Sequence, residues 1–207
     1  MKPTNFPLKT ITVMAIILSV IGIMTTAFKA RVSPGGNPES SKMKRDSLAS
    51  VQAFMDVYKV LMSPRCMNCH PAGEAPLQGD DSHIHIMNVQ RGKDGTGLYS
   101  AKCSNCHQPT NVPGEHTPPG NPKWQLPPGD MKMVFQGKTA RQLAMQIMDY
   151  NQNGHKNKEQ LLEHAHDTLV KAAWNMGEGR TPPPLTHEEF VAAWNKWIET
   201  GGYAPAE

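Results

Sequence analysis

The chain of 207 residues is poor in aromatic side chains and has only four cysteines. Aromatic residues make up 6% of it, whereas glycine and proline number 17 and 18, so little apolar volume is available for a large core. All four cysteines lie in two short motifs, which leaves none for a separate structural disulfide. The N-terminal apolar segment has no cysteine, which excludes a lipoprotein anchor.

A large basic surface is also lacking, although the formal net charge is +3. Lys2, Lys9, Lys29 and Arg31 carry four positive charges in a segment without acidic residues. The rest of the chain has 17 basic and 18 acidic side chains, a net charge of −1. Nucleic-acid binding therefore has no electrostatic support.

Residues 1–30 have the pattern of an export signal or membrane anchor. Lys2 and Lys9 precede residues 11–28, which carry no charge and are rich in isoleucine, valine, methionine and leucine. A cleaved signal usually has an apolar region of about 7–15 residues, and this segment is longer. We favour a retained anchor, with a cleaved leader as the alternative. Either form predicts that the rest of the chain is exported to the periplasmic side of a bacterial inner membrane.

Two C-x-x-C-H motifs dominate the remainder: CMNCH at residues 66–70 and CSNCH at residues 103–107. This pattern is the attachment signature of c-type haem. The two thiols can add to the two vinyl groups of one porphyrin, and the adjacent histidine can then bind the iron. The motifs predict two covalently bound haem c groups. The residues predicted to hold them are Cys66, Cys69, His70, Cys103, Cys106 and His107.

Zinc and dithiol chemistry are the alternatives for these cysteines. A zinc site usually has its two pairs about 15–20 residues apart, whereas 33 residues separate Cys69 from Cys103. Zinc also gives no reason for a histidine directly after each pair. A dithiol redox motif is expected near a βαβ pattern, and none is visible.

The fold class we predict is mostly α: a loop-rich, cytochrome c-like haem domain at residues 47–203, with an N-terminal apolar helix before it. Residues 31–46, rich in proline, glycine and serine, are expected to be a flexible linker. Apolar spacing predicts helices at 47–61, 139–150, 157–174 and 186–199. Capping boxes begin the last three of these helices.

The two terminal helices of the haem domain are expected to pack together. Phe54 and Tyr58 lie on the apolar face of the first, and Phe190, Trp194 and Trp197 form the apolar edge of the last.

Each iron needs a sixth ligand or has an open position. For the haem on His70, Met87 and His85 are the main candidates, because they lie 15–17 residues further on in a flexible loop that can fold back, and His83 is a weaker one. A short extended segment would point all three to one side. For the haem on His107, Met131 and Met133 are candidates, because they follow a proline-rich loop just before a helix. His164 and His166 flank their helix stripe on opposite sides; either could reach a haem, but solvent exposure is the favoured interpretation.

Longer strings resemble a known family. CMNCHPAGEAPLQGDDSH at residues 66–83, MNVQRG at 87–92, MVFQGK at 133–138 and GEGRTPPPLTHEEF at 177–190 are similar to exported di-haem cytochromes labelled isoquinoline 1-oxidoreductase cytochrome subunits. The resemblance covers roughly residues 63–201. It implies a partner, a molybdenum hydroxylase that passes its electrons to the cytochrome.

The function predicted is a di-haem cytochrome that relays single electrons from a dehydrogenase toward a terminal oxidase or another cytochrome, with no catalytic residues of its own. A di-haem peroxidase with one open haem position is the enzyme alternative, in which His83 or His85 would act as the acid–base group. A haem-based sensor or a structural subunit is a third class.

Overall fold

Residues 37–206 are described here in a computed structural model, and this part of the chain is mostly helical and loop-rich with few strands. The α-helices are α1 (Pro38–Leu61), α2 (Pro64–Met67), α3 (Ala140–Met148), α4 (Lys158–His164), α5 (Thr168–Lys171) and α6 (His187–Glu199). The strands are β1 (Leu77–Gln78), β2 (His83–Ile84), β3 (Gly97–Leu98) and β4 (Ala101–Lys102). Short 3-10 turns occupy Ile86–Asn88, Cys103–Asn105 and Ala172–Trp174.

Helix α1 begins at Pro38, nine residues before its predicted start. Residues 38–46 of the predicted linker are therefore helical, which corrects the expectation of a flexible segment there. Proline is tolerated in a first helical turn because backbone N–H groups at that position have no acceptor within the helix, so the missing N–H costs no hydrogen bond. Glu39 in that turn adds a favourable charge. The predicted leader at 1–30 and the linker residues 31–36 lie outside the described residues.

The segment between the two motifs folds as two short antiparallel hairpins. Leu77 pairs with Ile84 in the first hairpin, and Leu98 pairs with Ala101 in the second. Gly97 is buried in a left-handed conformation, and a side chain there would meet the carbonyl oxygen of Ala101 at 2.5 Å. Residues 71–102, which are rich in glycine, contain no α-helix.

Local capping signals set the starts of the later helices. The side chains of Thr139, Asn157 and Thr186 each accept a hydrogen bond from the backbone N–H three residues later. In return, the side chain of that later residue accepts one from the backbone N–H of the capping residue. The predicted capping boxes are confirmed. The single helix predicted at 157–174 is wrong, however, because α4 ends at His164 and the chain turns before α5. At this turn the His164 ring bonds to the Asp167 carboxylate at 2.6 Å.

The core lies where α1, α3, α4 and α6 meet. The rings of Phe54 and Trp197 have centres 4.5 Å apart, so the predicted packing of the terminal helices is confirmed for this pair. The Ser50 hydroxyl donates to the Trp197 carbonyl at 2.9 Å and accepts from the Tyr203 N–H at 3.0 Å. Helix α1 is thereby joined to the end of α6.

A search of residues 37–206 found no helix with the length and apolar character needed to span a membrane.

Candidate haem-binding sites

The first motif starts on α2 and leaves it through a tight turn. The Cys69 N–H donates to the Cys66 carbonyl at 3.1 Å, and the His70 N–H donates to the Met67 carbonyl at 3.0 Å. Burial raises the pKa of the Cys66 thiol to about 12 and that of Cys69 to about 11. The thiols of dithiol oxidoreductases instead have a lowered pKa. The surroundings of this pair do not favour dithiol redox chemistry.

His70 is held by a segment that lies 63 residues later in the chain. Its Nδ1 lies 2.7 Å from the Met133 carbonyl oxygen, and its ring stacks on Phe135 with centres 3.8 Å apart and planes 8° apart. A carbonyl oxygen can only accept, so Nδ1 carries the proton and Nε2 has a free lone pair. Burial lowers the pKa of His70 to about 4, so its imidazole is neutral at pH 7. A neutral imidazole with a free Nε2 is suited to bind a metal.

A cavity of about 890 Å³ adjoins the first motif and is lined by Cys66, Cys69 and His70. Its volume falls in the range of roughly 300–1,000 Å³ that is typical of ligand and cofactor pockets. Apolar side chains form much of the remaining wall: Leu61, Phe135, Ile147, Leu161, Val170 and Trp174. A largely apolar cavity beside two thiols and an imidazole fits a porphyrin.

The second motif has the same local arrangement. Its cysteines frame a 3-10 turn, and the His107 N–H donates to the Cys103 carbonyl at 2.9 Å. Nδ1 of His107 lies 2.7 Å from the Pro119 carbonyl oxygen, and the ring stacks on Trp124 with centres 4.2 Å apart and planes 12° apart. Burial lowers the pKa of His107. Each motif thus has a carbonyl and an aromatic ring that orient its histidine with Nε2 free.

The two motifs lie side by side. The pKa of Cys69 is raised mainly by burial, and Cys103 of the second motif raises it further. Trp124 stacks on His107 and also forms part of the wall of the cavity beside His70. A large aromatic ring therefore contacts both candidate sites.

The methionine candidates for the second haem lie at the first motif. Met131 and Met133 line the cavity beside His70, a cavity that His107 does not line. The structure thus brings these methionines to the first motif, whereas the sequence had paired them with the second haem. The Met133 carbonyl bonds the His70 ring, so this residue approaches from the side of the predicted iron-binding histidine. Met131 and Met176, which also lines this cavity, are left as methionine candidates there.

The candidates for the first haem do not share one side as predicted. The extended segment ends after Ile84, and Met87 has a positive φ of 72° with 81% of its surface exposed. His83 bonds to Asp81 at 2.6 Å on the surface. His85 is half-buried and lies beside His107, with ring centres 6.4 Å apart. The chain turns at His85, which separates the three side chains.

His164 is a further candidate that the sequence analysis placed in solvent. Its side chain is 39% exposed but forms part of the cavity wall beside His70. Its Nδ1 lies 2.6 Å from an Asp167 carboxylate oxygen, and burial lowers its pKa. A carboxylate can only accept this hydrogen bond, so Nε2 is again the ring nitrogen with a free lone pair.

Two buried arginines lie close to the thiols. Arg65 pairs with Asp80, and Arg91 is fully buried with its Nε 3.6 Å from a Glu74 carboxylate oxygen. Within the part of the chain that the structure describes, neither Nε atom has a hydrogen-bond partner. A buried unpaired donor costs about 1–3 kcal/mol. Arg65 also lines the cavity beside His70, whereas Arg91 does not.

Several of these features give no signal in the sequence. The carbonyl groups of Met133 and Pro119 are backbone atoms, which every residue has. The aromatic side chains of Phe135 and Trp124 were visible, but nothing in the sequence indicated which histidine each would contact. Phe135 and Trp124 each come shortly after the residue whose carbonyl bonds the histidine, but that residue is known only from the structure.

Among residues 37–206, no three side chains of histidine, cysteine, aspartate or glutamate lie close enough together to hold a bare metal ion. A c-type haem does not need such a cluster, because the thiols bond to the porphyrin and a single motif histidine binds the iron. Comparisons of the chain with protein-family models, curated proteins and solved structures gave no match.

Proposed function

We propose that this protein is a di-haem c-type cytochrome that relays single electrons between redox proteins. The main support is the matched arrangement at the two motifs. His70 and His107 each have Nδ1 hydrogen-bonded to a backbone carbonyl at 2.7 Å, a neighbouring cysteine pair and a stacked aromatic ring. This arrangement leaves Nε2 of both rings free to bind iron.

When bound, each haem would supply an iron that cycles between ferrous and ferric states. The protein supplies attachment and surroundings. The four cysteines would form the thioether bonds, and Phe135 and Trp124 fix the histidine rings. The apolar wall beside His70 would exclude water from the iron. Burial, charge and hydrogen bonds to the axial histidines are the means by which a protein tunes haem potential.

The proximity of the two motifs supports direct transfer between the haems. Trp124 stacks on His107 and also lines the cavity beside His70, so one aromatic side chain contacts both sites. An electron could then enter at one haem and leave at the other.

The proposed donor is a dehydrogenase of the molybdenum hydroxylase class, and the proposed acceptor is a terminal oxidase or another cytochrome. This part rests on the family resemblance of residues 63–201 and on the exported position that residues 1–30 predict. The proposed location is the periplasmic side of the bacterial inner membrane, anchored or released by cleavage.

A redox titration of the full chain tests the relay. The chain is produced in a host that attaches c-type haem and extracted with its co-purifying partner. We expect two reversible one-electron transitions and reduction of both haems by the partner with its substrate. Reversible reduction of neither haem would overturn the proposal.

One observation favours a peroxidase as a second candidate. His164, bonded to Asp167 on the wall of the open cavity, has the form of a distal acid–base group. Neither His83 nor His85, the residues first considered for this role, lines that cavity. A high-spin first haem with turnover of hydrogen peroxide supports the peroxidase. Two low-spin haems without turnover support the relay.

A further inference from the structure

The hairpin β1–β2 brings a histidine to the second motif. His85 follows directly after β2, and its N–H donates to the Pro76 carbonyl at 2.9 Å. This bond anchors the residue at the edge of the hairpin. Its ring lies next to that of His107, with centres 6.4 Å apart and planes tilted by 55°.

The hydrogen bonds of the two rings leave the same atom available on each. Nδ1 of His85 lies 2.5 Å from the Ile86 carbonyl oxygen, and Nδ1 of His107 lies 2.7 Å from that of Pro119. Carbonyl oxygens can only accept, so both Nδ1 atoms carry a proton. Both Nε2 atoms are therefore free to donate a lone pair.

The separation of the rings matches two imidazoles on opposite sides of one metal. An imidazole nitrogen binds a metal at about 2.0–2.1 Å, and the ring centre lies roughly 1.1 Å behind it, so two opposed rings have centres about 6.3 Å apart. The observed 6.4 Å agrees with this value. Tilted rings that simply pack together can have the same separation, as the 6.4 Å between Phe54 and Tyr58 shows, so the assignment depends on the two free Nε2 atoms as well as on the distance.

We propose that His85 is the sixth ligand of the haem attached at Cys103 and Cys106, opposite His107. This inference rests on the proposed function. It assigns His85 to the second haem, whereas its position 15 residues after His70 had suggested the first. It also excludes Met131 and Met133 from this haem, since both line the cavity at His70.

Ligation by two histidines has consequences for the second haem. It is six-coordinate and low-spin, with no open position for substrate. Its potential is lower than that of a haem with histidine and methionine ligands, because a methionine ligand raises the potential. The second haem is then an electron-transfer centre in either candidate function.

The test compares His85→Ala with His83→Ala in the full chain, made in a host that attaches haem. His83 is the matched control, since it lies two residues away, is exposed and bonds to Asp81. The haem content is measured first, by mass and by the pyridine haemochrome spectrum. Spin states are then measured by electron paramagnetic resonance and near-infrared magnetic circular dichroism.

We expect two haems in both variants, with one of the two changed from low-spin to high-spin only in His85→Ala. Added imidazole should restore its low-spin signal. His85→Met should stay low-spin with a raised potential, and it decides the matter if the alanine variant folds poorly. If both His85 variants show the same low-spin signals as wild type, the ligand assignment is overturned, although the proposal of two attached haems still stands. Wild-type chain without haem would instead overturn the proposed function.

Discussion

Replacing Phe135 by leucine tests whether the stacked ring fixes the His70 imidazole. Phe135 is 6% exposed, and its ring centre lies 3.8 Å from that of His70. Leucine keeps most of the buried apolar volume but has no planar face. We expect the stacking to be lost, so that the imidazole gains rotational freedom about its bond to the iron.

The cost to stability follows from the burial of this side chain. An aromatic pair contributes about 0.5–1.5 kcal/mol beyond its buried area. Truncation of a buried phenylalanine to alanine costs about 3–5 kcal/mol. Phe135→Leu should therefore lower the free energy of unfolding by about 1–2 kcal/mol. In a chain of this size that lowers Tm by about 2–8 °C.

The assay combines thermal unfolding with electron paramagnetic resonance of the oxidised protein. Phe54→Leu is the control, because Phe54 is fully buried and its recorded ring contacts are with Tyr58 and Trp197. We expect both variants to lose stability and only Phe135→Leu to broaden the signal of one haem. A first-haem signal identical to wild type in Phe135→Leu would refute the orienting role of the ring.

Two further predictions concern acid stability and the first haem. Hydrogen bonding from Thr181 lowers the pKa of Asp80, so Asp80 stabilises the fold above its ordinary pKa of about 3.9, and this contribution is lost as the pH falls through the lowered value. Asp80→Asn should therefore show a smaller loss of stability between pH 7 and pH 3 in urea unfolding, and a loss equal to that of wild type would contradict this. At the cavity beside His70 we expect His164→Ala to turn the first haem high-spin and Met131→Ala to leave it low-spin, as measured by magnetic circular dichroism. The opposite pattern would assign the ligand to Met131.

Features that depend on a few neighbouring residues were predictable from the sequence. The capping boxes at Thr139, Asn157 and Thr186 form because each side chain needs a partner only three residues away. The turn at each C-x-x-C-H motif likewise depends on hydrogen bonds between residues three or four positions apart. The packing of Phe54 on Trp197 was also predictable, because the apolar stripes of two helices leave few other surfaces to bury.

The break in the predicted helix at 157–174 was not predictable from its apolar pattern. Leu161 and Ala165 are both buried, and Leu169 and Ala172 continue the apolar spacing past the break but are only partly buried. The side-chain bond between His164 and Asp167 accompanies the turn there. Apolar spacing in a sequence does not record whether the backbone remains one helix.

The pairing of loops with motifs depended on the path of the chain. Nearness in sequence suggested Met87 and His85 for the first motif and the later methionines for the second. The segment containing Met133 instead folds back onto His70, and the hairpin carries His85 to His107. Both contacts join residues that are far apart in the sequence. One is between a backbone carbonyl and a ring, and the other is between two rings. Residue type alone does not encode such pairings.

The number of haem groups bound covalently to one chain tests the central claim most directly. The full chain is produced in a host that attaches c-type haem, and its mass is measured alongside the pyridine haemochrome spectrum. We expect the mass of the polypeptide plus two haems, and Cys→Ser changes at either motif should remove one of them. A colourless protein with the mass of the polypeptide alone would contradict the account.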